Sequence, residues 1–428
     1  MVISLALWAP GGLGAATQDV FVGVAERALE ANPRIQTAQA NLAAALERIP
    51  QSRSALLPTV ELDLSRGLSQ SRWTTDDNTH LKPGEASLSL GQALYNKAAL
   101  EALEQVEPHV AAYRATLEAE RQAVLLEVAR VTLAFLEAVE VQRLAASNRE
   151  VTQRHLEATQ DRFRVGEITQ TDVSQALARL ESARAELLKA ENAVAVSRAR
   201  FAETVGEPPP EDLQLPALNA PLLEREQSVQ EEAAIGERPD LQAARHRLAV
   251  AELDIALQQG GHYPTLSLSS TASRGWDQGT TLASKQVDRF TLGLALSVPL
   301  YAGGRIVSLA NQARAERDAQ AAQVDRLRLQ ARREVAQALL DYRNFQAVEG
   351  ALQAAETAAR EAMAGVEQEY RVGSRTALDL LDSQNALFTA QTELARNRFD
   401  LVEAQFELFQ ALGHLRLEEL TFGTNAAP

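Results

Sequence analysis

Two stretches decide how this chain folds: Arg164-Val165-Gly166-Glu167-Ile168-Thr169-Gln170-Thr171-Asp172 and Arg371-Val372-Gly373-Ser374-Arg375-Thr376-Ala377-Leu378-Asp379. Arg, Val, Gly, Thr and Asp recur at an offset of 207, as do Leu187 with Leu394 and Gly206 with Gly413. Upstream the offset is 206. Asn32-Pro33-Arg34-Ile35-Gln36 answers Arg238-Pro239-Asp240-Leu241-Gln242, Leu57-Pro58-Thr59-Val60 answers Tyr263-Pro264-Thr265-Leu266, and Leu94-Tyr95 answers Leu300-Tyr301. Spacing held through so many landmarks marks a tandem repeat of about 200 residues.

Each copy reads as one helix, two strands and two long helices. Val60, Leu62 and Leu64 alternate with Glu61, Asp63 and Ser65, and Ala86, Leu88 and Leu90 with Glu85, Ser87 and Ser89. Leu266 and Leu268 alternate with Ser267 and Ser269, and Phe290, Leu292, Leu294 and Leu296 with Arg289, Thr291, Gly293 and Ala295. Period two gives each strand one apolar and one polar face. The strands are expected at about 58–72, 85–95, 264–274 and 289–300. Long helical runs follow at 98–163 and 306–370, each ending at a Val-Gly turn with a return helix to Gly206 or Gly413. The first run could span roughly 100 Å if continuous. Pro108 interrupts it and its counterpart Arg314 does not, so a kink or break is expected in copy one only.

The chain of 428 residues is 46% hydrophobic, which excludes a disordered polymer, and only 5% aromatic, which suits closely packed Ala-rich helices. Its net charge of −15 argues against a nucleic-acid partner. The absence of Cys removes disulfides, thiolate metal sites and a lipid on cysteine. No phosphate loop, His-Glu-x-x-His or nucleophile elbow is present, so no enzyme, metal or cofactor is expected.

The domain reading is 1–16 as an export signal without its basic start, 17–206 as repeat one, 207–236 as a Pro-rich linker, 237–413 as repeat two, and 414–428 as a tail. Trp73 and Trp276 sit at matching strand ends, where a membrane-interface aromatic would lie. Four strands cannot close a barrel alone, so strands facing lipid require several chains to share one. The alternative is a soluble, non-transporting coiled-coil interaction protein whose small sheet packs on its own helices.

In order, duplication and spacing the landmarks resemble the TolC-like outer-membrane efflux protein family across nearly the whole chain. They include Val298-Pro299-Leu300-Tyr301-Ala302-Gly303-Gly304-Arg305, both Val-Gly turns, and Ala411-Leu412-Gly413. The resemblance implies a mainly α protein with a small β part. Its long hairpins would form a trimeric α-barrel in the periplasm, continuous with a shared 12-stranded barrel in outer-membrane lipid. It further implies a passive duct for efflux or type I secretion, served by a periplasmic adaptor and an inner-membrane pump of the RND, ABC or MFS type. Carried over residue by residue, Val165, Gly166, Thr169, Val372, Gly373 and Thr376 would meet the adaptor. Asp379 and Asp382 would form the acidic constriction, and Arg375, Tyr370, Thr171 and Asp172 would hold it closed. Copy one carries Gln175 where copy two carries Asp382, as a gate formed by one hairpin requires.

Overall fold

The computed structural model describes residues 13–71, 79–214, 236–276 and 286–417. It divides into two compact units, and each takes segments from both repeats: Met1–Gln39, Thr116–Leu241 and Leu327–Pro428 in one, Ala40–Ala115 and Gln242–Arg326 in the other.

The second unit holds the sheet. Its strands are β1 (Thr59–Arg66), β4 (Gly84–Asn96), β5 (Thr265–Trp276) and β6 (Gln286–Ser297), in the order β1-β4-β5-β6 and all antiparallel. Short strands β2 (Ser69–Ser71) and β3 (Thr79–Leu81) pair separately between β1 and β4. The register joins like with like. Leu62 faces Leu88, Leu88 faces Ala272, and Ala272 faces Phe290. One row along, Val60, Leu90, Ser270 and Leu292 align. The alternating leucines, with Val60 and Phe290, therefore lie on one face, which carries the Arg274–Asp288 ion pair in the row of Leu64, and that face is bare: Leu64 is 73% exposed and Phe290 71%. A soluble sheet would lose roughly 25 cal/mol for every Å² of apolar surface left in water, so this face is built for a solvent other than water.

Asn96 ends β4 and caps helix α4 (Lys97–Glu104), its side chain accepting from the Ala99 N–H at 3.2 Å. Gly260 packs on the Ala98 backbone, where an added Cβ would stand 2.9 Å from Ala98 Cα. Helix α2 (Pro33–Leu46), α3 (Arg48–Ser54) and the start of α5 (Val106–Arg164) meet in a small core of Ala45, Val106, Val110, Leu42, Ile49 and Tyr113. The expected break in copy one falls at Gln105, between α4 and α5. Pro108 has no N–H to give to Glu104 and its ring crowds that carbonyl, so the helix restarts with the proline in its first turn. In copy two the counterpart, α8 (Arg305–Arg371), runs unbroken for 67 residues. Helix α7 (Pro239–Gln259) leads into β5 through a short 3₁₀ turn at Gly260–His262.

The first unit holds helix α1 (Leu13–Ala31) and two hairpins. The remainder of α5 pairs with α6 (Gln170–Val205), and the remainder of α8 with α9 (Ala377–Ala411). On α6 the buried small residues Ala176, Ala183, Ala190 and Ser197 fall seven apart, the spacing that lets a neighbouring helix approach along a coiled-coil seam. Val335, Ala338, Leu339, Leu408, Ala411 and Leu412 form a core cluster, and Phe21 meets Phe406 edge-on at 5.9 Å. Acidic side chains line the α5–α9 contact. Burial pushes the Glu137, Asp400 and Glu403 carboxyls up, against the pull of Arg396 on the first two and Arg130 on the third.

Candidate functional site: the hairpin tips and the lipid-facing sheet

Both hairpin tips are made the same way. Helix α5 stops because Gly166 adopts φ of +81°, its N–H reaching Phe163 O at 2.9 Å while the Glu167 N–H reaches Arg162 O at 3.0 Å. Helix α8 stops at Gly373 with φ of +80°, through Gly373 N–H to Tyr370 O at 3.1 Å and Ser374 N–H to Glu369 O at 2.9 Å. These paired bonds form the Schellman termination, in which glycine removes the Cβ penalty of the left-handed residue. Three residues on, the return helix starts. The Thr169 hydroxyl accepts from the Asp172 N–H at 3.3 Å and Asp172 accepts from the Thr169 N–H at 2.9 Å. Thr376 and Asp379 repeat this at 3.2 and 3.0 Å. The motif Gly-x-x-Thr-x-x-Asp is thus a helix stop followed by a capping box.

This geometry assigns local work to four of the expected site residues. Thr169, Asp172, Thr376 and Asp379 cap helices. Bonds from Thr169 and Thr376 hold the Asp172 and Asp379 carboxyls below the usual aspartate range, so both stay ionised. What projects from the tips is Val165 and Val372, 71% and 80% exposed, each just before its glycine.

The expected constriction and gate-holding residues make these contacts within one chain. Asp382, one turn beyond Asp379, forms an ion pair with Arg179 of α6 at 2.6 Å. Arg375 pairs with Glu369 at 2.8 Å. Tyr370 is only 8% exposed and lies under the Arg162 guanidinium, 4.3 Å from ring centre to Cζ. Thr171 is exposed in the first turn of α6. Within one chain these side chains bind their own hairpin or its neighbour, and no hydrogen bond joins Arg375 or Tyr370 to Thr171 or Asp172 among the described residues. Near the tips the two hairpins are tied together by Arg162 to the Tyr370 carbonyl, Arg179 to Asp382 and Gln384 to Asn148 at 3.2 Å, beside a core of Leu156, Ala176, Leu180 and Leu381, and farther along by Arg130 with Glu403 and Glu407. Sequence reading missed them. The available signal was the failure of the repeat here: Asp382 answers Gln175, and Arg179 answers Ala386.

At the sheet, Trp276 ends β5 opposite Gly84 and Gln286, on the same face as Leu266 and Leu268. An added Cβ at Gly84 would collide with its indole. Trp73 lies outside the described residues. Tyr95, Tyr263 and Tyr301, which the sequence marks only as repeat landmarks, are exposed at the other end. Aromatics at both borders of an apolar band are the pattern of a membrane-spanning barrel wall. No helix among the described residues is long and apolar enough to cross a membrane. Among the same residues no three His, Asp or Glu gather as metal ligands.

Comparisons with known proteins agree with this geometry. The family model described as outer membrane efflux protein matches residues 24–207 and 232–414. The chain is 29% identical over 411 residues to outer membrane protein TolC of Vibrio cholerae, covering 92% of this chain and 90% of that protein. It is 25% identical over 398 residues to the alkaline protease secretion protein AprF of Pseudomonas aeruginosa, covering 88% and 81%. The solved structure of the outer membrane protein VceC from Vibrio cholerae superposes with a TM-score of 0.79 at 23% identity, over 95% of this chain and 99% of that one. The matched family consists of channels, not enzymes. By this match and by its bare apolar sheet, the chain belongs to the outer membrane efflux protein family and acts as an outer-membrane channel of efflux and secretion systems.

Proposed function

We propose that three copies close one barrel and one tunnel, that the tips engage a periplasmic adaptor tied to an inner-membrane pump, and that Asp382 rings the constriction. The observation that carries this reading is the sheet: four strands with an uncovered apolar face and two edge strands, β1 and β6, with no strand beside them among the described residues. Lipid tolerates strands only in closed barrels, and the two edges run antiparallel, so copies join edge to edge without reversing direction. Three copies supply the twelve strands that the family resemblance implies.

Residues 1–16 act as the export signal. Val165 and Val372 are the adaptor contacts, because they are exposed apolar side chains on rigid, twice-built turns. The capping residues Thr169, Thr376, Gly166 and Gly373 hold those valines in place. Trp276 borders the lipid. At the gate, Asp382 carries the ring of charge while Arg179 balances it in the closed state, and Asp379 adds a second, permanently ionised ring. Arg375, Tyr370, Thr171 and Asp172 meet across neighbouring hairpins when the copies assemble. Opening moves the second hairpin away from α6 and breaks the Arg179–Asp382 pair.

Native mass spectrometry from detergent tests the assembly. The mass of three chains is expected, and a chain that stays monomeric and soluble without detergent would favour the coiled-coil alternative.

A further inference from the structure

We propose that β1 of one copy seats against the C-terminal half of β6 of the next, displaced by four to six residues from the flush register. This rests on the trimeric reading above.

The flush register follows from the observed pairing. Asp63 faces Ser87, Ser87 faces Ser273, and Ser273 faces Arg289, so Asp63 and Arg289 share one row at opposite edges of the sheet. Joining copies flush would set Asp63 beside Arg289, an attractive pairing of opposite charges. Closure forbids it. A barrel of untilted strands has no stagger, whereas membrane barrels tilt by roughly 35–45°. Four strands at about 4.8 Å make each copy roughly 19 Å wide, and that tilt displaces one edge from the other by roughly 13–19 Å. At ~3.4 Å per residue this is about four to six residues. Only even displacements keep the leucines outside, since an odd one turns the next apolar face into the lumen.

Direction is fixed by overlap. Displacement towards the N-terminal end of β6 leaves at most residues 59–62 paired with it. Displacement the other way sets Thr59–Arg66 against residues 290–297 at a stagger of four, or against 292–299 at six. Leu62 then meets Leu294 or Leu296, and Leu64 meets Leu292 or Leu294, so these two rows join leucine to leucine on the lipid side, with Arg66 at the end of the same face. On the lumen side Asp63 meets Gly293 or Ala295, residues small enough to leave its carboxylate free to water. Arg66 meets Phe290 or Leu292 near the outer border. An exposed ion pair such as Asp63–Arg289 would contribute only about 0–1 kcal/mol, too little to hold the barrel flush against this loss.

The chain has no cysteine, so engineered pairs carry no background. Asp63→Cys with Gly293→Cys, Asp63→Cys with Ala295→Cys, and Asp63→Cys with Arg289→Cys are oxidised in detergent and run on non-reducing gels. Glu61→Cys with Ala295→Cys or Ser297→Cys provides a second set one row away. Covalent trimer from one of the first two pairs, and from its partner in the second set, is the expected result. Cross-linking through Arg289→Cys, or trimers by native mass spectrometry that cross-link at none of the staggered pairs, would overturn the proposed seam while leaving the trimer standing. Monomers from the unmodified chain would instead overturn the trimer itself.

Discussion

Replacing Leu292 by Arg should weaken insertion far more than replacing its neighbour Thr291. Leu292 shares the apolar row with Val60 and Leu90, and Thr291 shares the polar row with Glu61 and Thr271. Leu292 stands six residues along β6 from Gln286, the partner of Trp276. Six residues at ~3.4 Å give roughly 20 Å of strand, or about 14–17 Å of height at a tilt of 35–45°. With Trp276 at the border of an apolar band about 25 Å tall, Leu292 lies close to the midplane. Arginine at that depth costs roughly 2–4 kcal/mol per copy, and a trimer carries three. On the lumen face the guanidinium stays in water and should cost under about 1 kcal/mol. Denaturant titration of the protein folded into lipid vesicles measures both. Equal penalties at the two positions, or a larger one at Thr291, would refute the assignment of the two faces.

Other consequences are separable. Thr169→Ala or Thr376→Ala removes one cap, costing about 0.5–2 kcal/mol locally, and should speed amide exchange in that tip while leaving the trimer intact. Arg179→Ala should increase cation selectivity and Asp382→Asn reduce it. The double variant should match Asp382→Asn, and none should shift stability by more than about 1 kcal/mol because the pair is exposed. For pH, Asp172 and Asp379 titrate below their ordinary value, so their capping contribution is complete above the unfolded aspartate range and lost only as pH falls through the depressed folded value. Tip protection in hydrogen exchange should therefore persist at pH 4. Glu137, Asp400 and Glu403 are shifted the other way by burial, so their unfavourable charging sets in as pH rises above the unfolded carboxylate range. The melting temperature should rise on mild acidification, and Glu403→Gln should blunt that rise. Val165→Asp with Val372→Asp should abolish adaptor binding without changing the assembly mass.

What the sequence revealed was whatever chemistry is local. Gly166 and Gly373 announce a left-handed stop, and Thr-x-x-Asp announces a start, because both motifs close their hydrogen bonds within a few residues. Period two located β1, β4, β5 and β6, and Pro108 foretold a break in copy one only. The ion pair of Arg179 with Asp382 could not be read, since it depends on which faces of α6 and α9 meet. Tyr370 was expected at an interface between hairpins; the contact it makes there, under the Arg162 guanidinium of the other hairpin, is set by helix packing rather than by spacing. Asp379 shows the converse. Its capping role was written in the sequence beside Thr376, and a reading centred on the constriction passed over it.

The most direct test of the account is single-channel recording of the purified protein in a planar bilayer, beside Asp382→Asn. The account requires discrete, cation-selective steps whose selectivity falls in the variant. A chain that never inserts would contradict the outer-membrane channel, and steps untouched by the substitution would contradict Asp382 as the charge at the constriction.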